Sequence, residues 1–333
     1  MPLLEQTSLD REQSDTAAED TPVREGGHGF GRYLLTTGIV LLILYSVPLY
    51  LVRRTDFDRI STLTYSLPLN YAFQMKGQNA DVVLFGDSTV THGIDPSQMS
   101  RELGVKVVNL PNTGATLRVM NDLSLQRYLA GNRPPRLIVF YFAPWDADYL
   151  HQEWPLGTYE GLEVLAHQGT PVQIFAYVKT HPTESLQFPF EFYLANEPSG
   201  PSLKKPNLTA GEEVVRTQGH FTNPSSRPVS ADCEFPPALT DNLRFDSEKA
   251  LGAKYATAQT KVLFVMAPVP ECRNASAVVD RSYSALPAAP PLELPRDMFS
   301  GLVLYLHPAP SAVPAITEDL VKLVRPVLGQ ATR

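Results

Sequence analysis

The run Val82-Val83-Leu84-Phe85-Gly86-Asp87-Ser88 passes from four apolar residues straight into Gly-Asp-Ser. A serine so placed leaves the carboxyl end of a buried strand, which is where open α/β sheets bind their ligands. Its hydroxyl could be reached there by a base and a substrate together, as nucleophilic catalysis requires. The same triplet is also ordinary turn chemistry, because Gly, Asp and Ser all favour turns. What gives it chemical meaning is a distant histidine, His307 in Tyr305-Leu306-His307-Pro308, which immediately precedes a helical pattern. An imidazole can take the proton of a serine hydroxyl. Only folding can bring the two residues together.

Three neighbours of the serine are further candidates. Asp87 reads as the cap or turn holder of the following helix rather than as a reactant. His92, four residues after Ser88, shares a helical face with it and either meets substrate or bonds a nearby backbone group. Asn112 offers amide N–H groups to an oxyanion, or serves as a turn residue.

Gly86-Asp87-Ser88, then Asn109-Leu110-Pro111-Asn112-Thr113-Gly114, then His307 with its proline and helix resemble three blocks of the SGNH, or GDSL-type, hydrolase superfamily in order and spacing. The resemblance spans about residues 80 to 328. It implies Ser88 as nucleophile, His307 as base, and the N–H groups of Ser88 and Gly114 as oxyanion donors, with Asn112 the replacement for a missing third donor. The run Gly86 to Pro96 and the later Ala143-Pro144-Trp145-Asp146 look more like a membrane-anchored branch that assists polysaccharide or cell-wall O-acylation. That likeness implies a glycan acceptor and a membrane-bound acyl-donor protein as partners.

Two positions depart from the pattern. Leu304 stands where the family has an aspartate three residues before its histidine, and the strand Ile138 to Phe142 runs into Ala143-Pro144-Trp145 instead of the third block's asparagine. Asp297, ten residues before His307, is the acid assigned here. Asp146, Asp148 or a backbone carbonyl are the alternatives, because the imidazole needs an acceptor at its second nitrogen. The expected activity is a serine-dependent O-acyltransferase, O-acetyl in kind, acting on an extracytoplasmic polysaccharide. The alternatives are a carbohydrate esterase of the same fold and a catalytically inactive, membrane-tethered glycan-binding or assembly protein.

The elements that must position these residues follow from periodicity. Strands are expected at 81–86, 105–109, 136–142 and 261–267, with helices near 96–103, 116–130, 242–258 and 312–328. The last is marked by Val313, Ile316, Leu320, Val324 and Leu328, with Pro314 tolerable in its first turn. The alternation predicts a three-layer α/β/α flavodoxin-like sandwich with a mainly parallel sheet, at 80–330. Residues 150–240 break the rhythm as an insertion. Its aromatics Trp154, Tyr159, Phe175, Tyr177, Phe188, Phe190, Phe192 and Tyr193 read as a small core of their own in preference to a sugar-stacking surface.

Tyr33 to Val52 contains no charge. About twenty residues at about 1.5 Å each reach about 30 Å, the thickness of a bilayer core. A transmembrane helix is therefore expected at 32–53, after a disordered polar tail at 1–31 and before a linker at 54–79. Arg24 and Arg32 on one side nearly balance Arg53, Arg54 and Arg59 on the other. The family resemblance places the domain outside the cytoplasmic membrane, as a single-pass inner-membrane protein with a periplasmic domain.

The 333 residues carry 28 Lys and Arg against 35 Asp and Glu, a net charge of −7. With no basic tract in the soluble part, nucleic acid is not an expected partner. Cys233 and Cys272 either form one disulfide or stay free, and without companion ligands they make no zinc site. The histidines show no paired ligand spacing, so neither metal nor cofactor is expected.

Overall fold

The computed structural model describes residues 27–54, 71, 75–114, 117, 122–145, 162, 165–166, 169–195, 212–222, 227–237, 245–280, 288–301 and 307–329. The chain divides between Leu44 and Tyr45 into two units. Helix α1, Gly27–Arg54, contains the apolar span Gly29–Leu51, 23 residues that are long and apolar enough to cross a membrane. It begins five residues before the expected span.

In the second unit, β1 (Val82–Gly86) leads into the short helix α2 (Ser88–Gly93) and then α3 (Pro96–Leu103). The order continues with β2 (Val107–Leu110), α4 (Leu123–Gly131) and β3 (Leu137–Phe142). Two helices follow, α5 (Pro171–Thr180) and α6 (Pro182–Ala195), and then α7 (Asp246–Tyr255) and β4 (Lys261–Met266). The last elements are β5 (Val269–Pro270), α8 (Ser276–Val279), β6 (Ala288–Ala289), β7 (Glu293–Leu294), a 3₁₀ turn at Arg296–Met298 and α9 (Val313–Gly329). The four main strands fall within two residues of expectation, and α3 falls on it.

All pairings in the main sheet are parallel, in the order β2-β1-β3-β4-β6. A parallel sheet is buried on both faces, so its strands read as continuous apolar runs instead of alternating ones. Every residue of β1, β2 and β3 is accordingly buried. Val83, Phe85, Ile138, Phe140 and Phe264 pack with Leu125, Tyr128, Leu251 and Tyr255. Val82, Leu84, Val139, Tyr141 and Val265 pack instead with Val90, Ile94, Met99, Ile316, Leu320 and Val324. The period-2 alternation of side chains thus supplies two apolar clusters.

Strand order reverses direction between β1 and β3, which makes the carboxyl end of β1 the topological switch point. Gly86 ends β1 there, and a Cβ at that position would lie 1.7 Å from the Tyr141 carbonyl oxygen. No other residue allows β1 and β3 to approach so closely at the point where the chain turns into α2.

Cys233 and Cys272 are joined in a disulfide with a Cα–Cα distance of 5.0 Å. The bond sits in a small apolar cluster with Trp145, Phe235, Val269 and Val278. The aromatic insertion also has a core of its own, made by Leu162, Leu165, Ala166, Tyr177, Phe188 and Phe192. Phe175, Phe190 and Tyr193 are not part of it and stay exposed. Trp154 and Tyr159 lie outside the described residues, as do the tail up to residue 26 and most of 54–79.

Candidate active site

Ser88 is the first residue of α2, and Asp87 before it is the N-cap. The Asp87 carboxylate accepts from the Thr89 N–H at 2.7 Å and from the Thr89 hydroxyl, while its second oxygen accepts from the Ala143 N–H at 2.8 Å. It is fully buried. Asp87 therefore ties the end of β1, the start of α2 and the end of β3 into one rigid corner, and its role is structural. The Ser88 N–H, at the helix start, belongs to the first turn, whose donors have no intrahelical acceptor.

His307 reaches this corner from the far end of the chain. Its carbonyl accepts from the Ser300 N–H at 2.8 Å, the Ala309 N–H bonds the Met298 carbonyl at 2.8 Å, and Phe299 and Pro308 form an antiparallel bridge. Pro308 packs over Gly93, where a Cβ would come within 3.1 Å of the proline ring. Behind it, α9 is moored to α3: the Asp95 N–H donates to the Thr317 hydroxyl at 3.0 Å and the Gln98 amide to the Pro314 carbonyl at 3.0 Å. With both sides held, His307 Nε2 lies 2.9 Å from Ser88 Oγ. Both side chains are partly exposed, so the pair is reachable from outside.

His92 completes the arrangement. Its ring lies 4.4 Å from that of His307, centroid to centroid, tilted by 54°. Its Nδ1 is 2.7 Å from the Phe221 carbonyl oxygen, which can only accept, so Nδ1 carries the proton. Of the two readings of His92 from the sequence, the backbone bond is the one seen here, and the ring in addition lies against His307. The Phe221 N–H in turn donates to the Thr91 carbonyl at 3.0 Å, clamping this part of the insertion onto α2. The same segment is fixed to β2, where the Asn109 N–H and side-chain amide donate to the carbonyls of Gln218 and Gly219. Gly219 has φ +108°, and a Cβ there would strike the Asn109 carbonyl at 2.4 Å.

Burial, with a smaller contribution from the neighbouring His92, pushes the His307 imidazole down to about 3. Burial likewise holds His92 down to about 4, against the favourable bond to Phe221. Both rings are neutral at pH 7. A neutral His307 can accept the Ser88 proton at Nε2, which requires its own proton on Nδ1.

The expected acid is elsewhere. Asp297 is exposed on the Arg296–Met298 turn and makes no hydrogen bond or ion pair with His307, and among the described residues no carboxylate does. Spacing placed Asp297 close in sequence, but the turn carries its side chain to solvent. Asp146, Asp148 and Leu304 lie outside the described residues. Asn112 is buried, donates its amide to the Leu110 carbonyl at 3.0 Å and accepts from the Ser124 hydroxyl at 3.3 Å, while its carbonyl oxygen accepts from Thr91. These bonds fasten the loop after β2 onto α2. Gly114 lies partly exposed two residues further along that loop. Trp145, from the second family-like run, is buried against Phe235 at 5.1 Å beside the disulfide. Sequence reasoning missed the Phe221 carbonyl, for which no local motif exists.

Among the described residues, no group of His, Cys, Asp and Glu could hold a metal ion. A separate cleft lined by Leu129, Pro134, Ile138, Lys254, Tyr255 and Thr260 lies at the amino ends of β3 and β4, the opposite end of the strands from Ser88. Compared with protein-family models, curated proteins and solved structures, the chain matches none.

Proposed function

We propose that the chain is a membrane-anchored serine acyltransferase of SGNH type, acting on a polysaccharide outside the cytoplasmic membrane through an acyl-Ser88 intermediate. One observation carries the reading: the 2.9 Å bond between Ser88 Oγ and His307 Nε2, closed across 219 residues at the switch point of a parallel sheet. The strand order, with apolar clusters on alternate strand residues, supports a three-layer flavodoxin-like sandwich. The disulfide supports an oxidising compartment, and α1 a single membrane anchor.

In the proposed reaction His307 Nε2 takes the Ser88 proton as Oγ forms a bond to an acyl carbonyl carbon. The oxyanion is stabilised by the N–H groups of Ser88 and Gly114. The bond to the leaving group breaks and His307 returns the proton to it. A sugar hydroxyl then gives its proton to His307 and attacks the acyl-serine; the bond from the acyl carbon to Oγ breaks and His307 returns the proton to Ser88, and water in the sugar's place makes the same site an esterase. His92 is a positioning residue that holds the imidazole towards Ser88.

The low proton affinity of His307 favours slow chemistry, because a base works best near the operating pH. Losing the acid's contribution in a serine triad costs about ten-thousandfold in kcat. That no carboxylate among the described residues bonds His307 is also the observation favouring the second reading, a tethered glycan-binding protein without turnover. Incubating the detergent-solubilised chain with an activated acetyl ester and reading the intact mass separates them. The acyltransferase adds one acetyl group, lost in Ser88→Ala; a binding protein adds none.

A further inference from the structure

Among the described residues, the α5–α6 pair presents an exposed apolar face. The capping box of Thr170 and Gln173, with Pro171 at the first turn, starts α5, and His181 alone separates it from α6. One side of the pair is filled: Tyr177, Phe188 and Phe192 are buried with Leu162, Leu165 and Ala166. On the other side Val172 is 76% exposed, Phe175 71%, Leu186 62% and Phe190 61%. Water-facing surfaces rarely group large side chains this way.

The same pair is fastened to the Tyr45–Leu51 end of α1, within the second unit. Leu49 and Leu51 pack on its core, and the Tyr45 hydroxyl donates to the Leu186 carbonyl at 3.4 Å. All three belong to the apolar span Gly29–Leu51. Whatever lies against that end of the span lies at its depth. From Tyr45 to Leu51 the helix rises about 9 Å, which matches the 5–10 Å to which amphipathic helices sink below a membrane surface.

We infer that the α5–α6 hairpin is an interfacial membrane element whose Val172, Phe175, Leu186 and Phe190 face enters the acyl chains of the leaflet that holds the Tyr45–Leu51 end of α1. Residues 171–195 carry only Lys179, Glu184 and Glu191 as charges, so the attraction is apolar. Insertion is accordingly indifferent to anionic lipid and to salt. This inference does not depend on the chemistry of Ser88.

The test is depth measurement on the full chain, alone in phosphatidylcholine proteoliposomes. An environment-sensitive fluorophore is placed singly on Phe175→Cys, Phe190→Cys, Leu41→Cys within the span, and Lys322→Cys on the exposed face of α9. At 175 and 190, as at 41, emission shifts to the blue, acyl-chain quenchers act and aqueous iodide does not; at 322 iodide quenches. Iodide quenching at 175 and 190 equal to that at 322, with 41 shielded, overturns the inference, and is what a face reserved for a separate protein would give. Shielding that disappears on dilution with lipid points to a second copy of the chain, and also overturns it. Because both labelled phenylalanines are exposed, the substitutions leave the hairpin core intact.

Discussion

The parallel sheet and the α5–α6 hairpin are made of the same residue types, yet they treat them differently. In the sheet, Phe85, Phe140 and Phe142 meet one another edge-on and stacked and are buried in one cluster with helix residues Leu125, Tyr128, Leu251 and Tyr255. In the hairpin, Phe188 and Phe192 are buried, while Phe190 of the same helix and Phe175 of α5 are exposed. Apolar residues mark a face for removal from water without saying whether protein or lipid will remove it.

Truncating one aromatic from each region separates the two. Phe140→Ala should cost about 3–5 kcal/mol in urea unfolding in mild detergent, whereas Phe175→Ala should stay within about 0.5 kcal/mol. Equal costs would mean that the hairpin face is a packed core after all. Reducing Cys233–Cys272, which closes a separation of 39 residues, should lower stability by about 4 kcal/mol in the same assay. An unchanged midpoint would show the loop already ordered in the unfolded chain.

Asp87→Ala removes a helix cap and leaves the Ala143 N–H unbonded, an expected loss of about 2–3 kcal/mol. A smaller effect than that of a surface aspartate such as Asp319 would contradict its structural role. The pH dependence is gentler. His307 and His92 are held near 3 and 4 in the fold but titrate near 6.5 when unfolded, so protons favour the unfolded chain between those values. Stability should be fully present above pH 6.5 and fall as the pH drops, by roughly 2 kcal/mol per histidine at pH 5. His220 is also held low by burial, so His92→Phe should remove only its own share of that loss in thermal unfolding followed against pH.

How much of this was legible in the residues depended on how local the signal was. The four apolar runs and the α9 periodicity stand in the sequence because burial on a parallel sheet or one helix face imposes them directly. Ser88 and His307 could be paired because a strand-end serine and a histidine before a terminal helix each carry a local signature. The acid could not, since a ten-residue spacing from Asp297 to His307 does not say which way a 3₁₀ turn aims its carboxylate. The Phe221 carbonyl under His92 left no trace either, as any residue supplies a carbonyl. Phe175 and Phe190 were indistinguishable from Phe188 and Phe192 for the reason the comparison gives.

In the proposed reaction Ser88 and His307 act as one unit. The direct measurement is the rate of ester-driven acylation in Ser88→Ala, His307→Ala and the double variant. Residues acting as a unit are not additive: either single change should abolish acylation, and the double variant should be no worse than either. Acylation of Ser88 persisting undiminished in His307→Ala would contradict it.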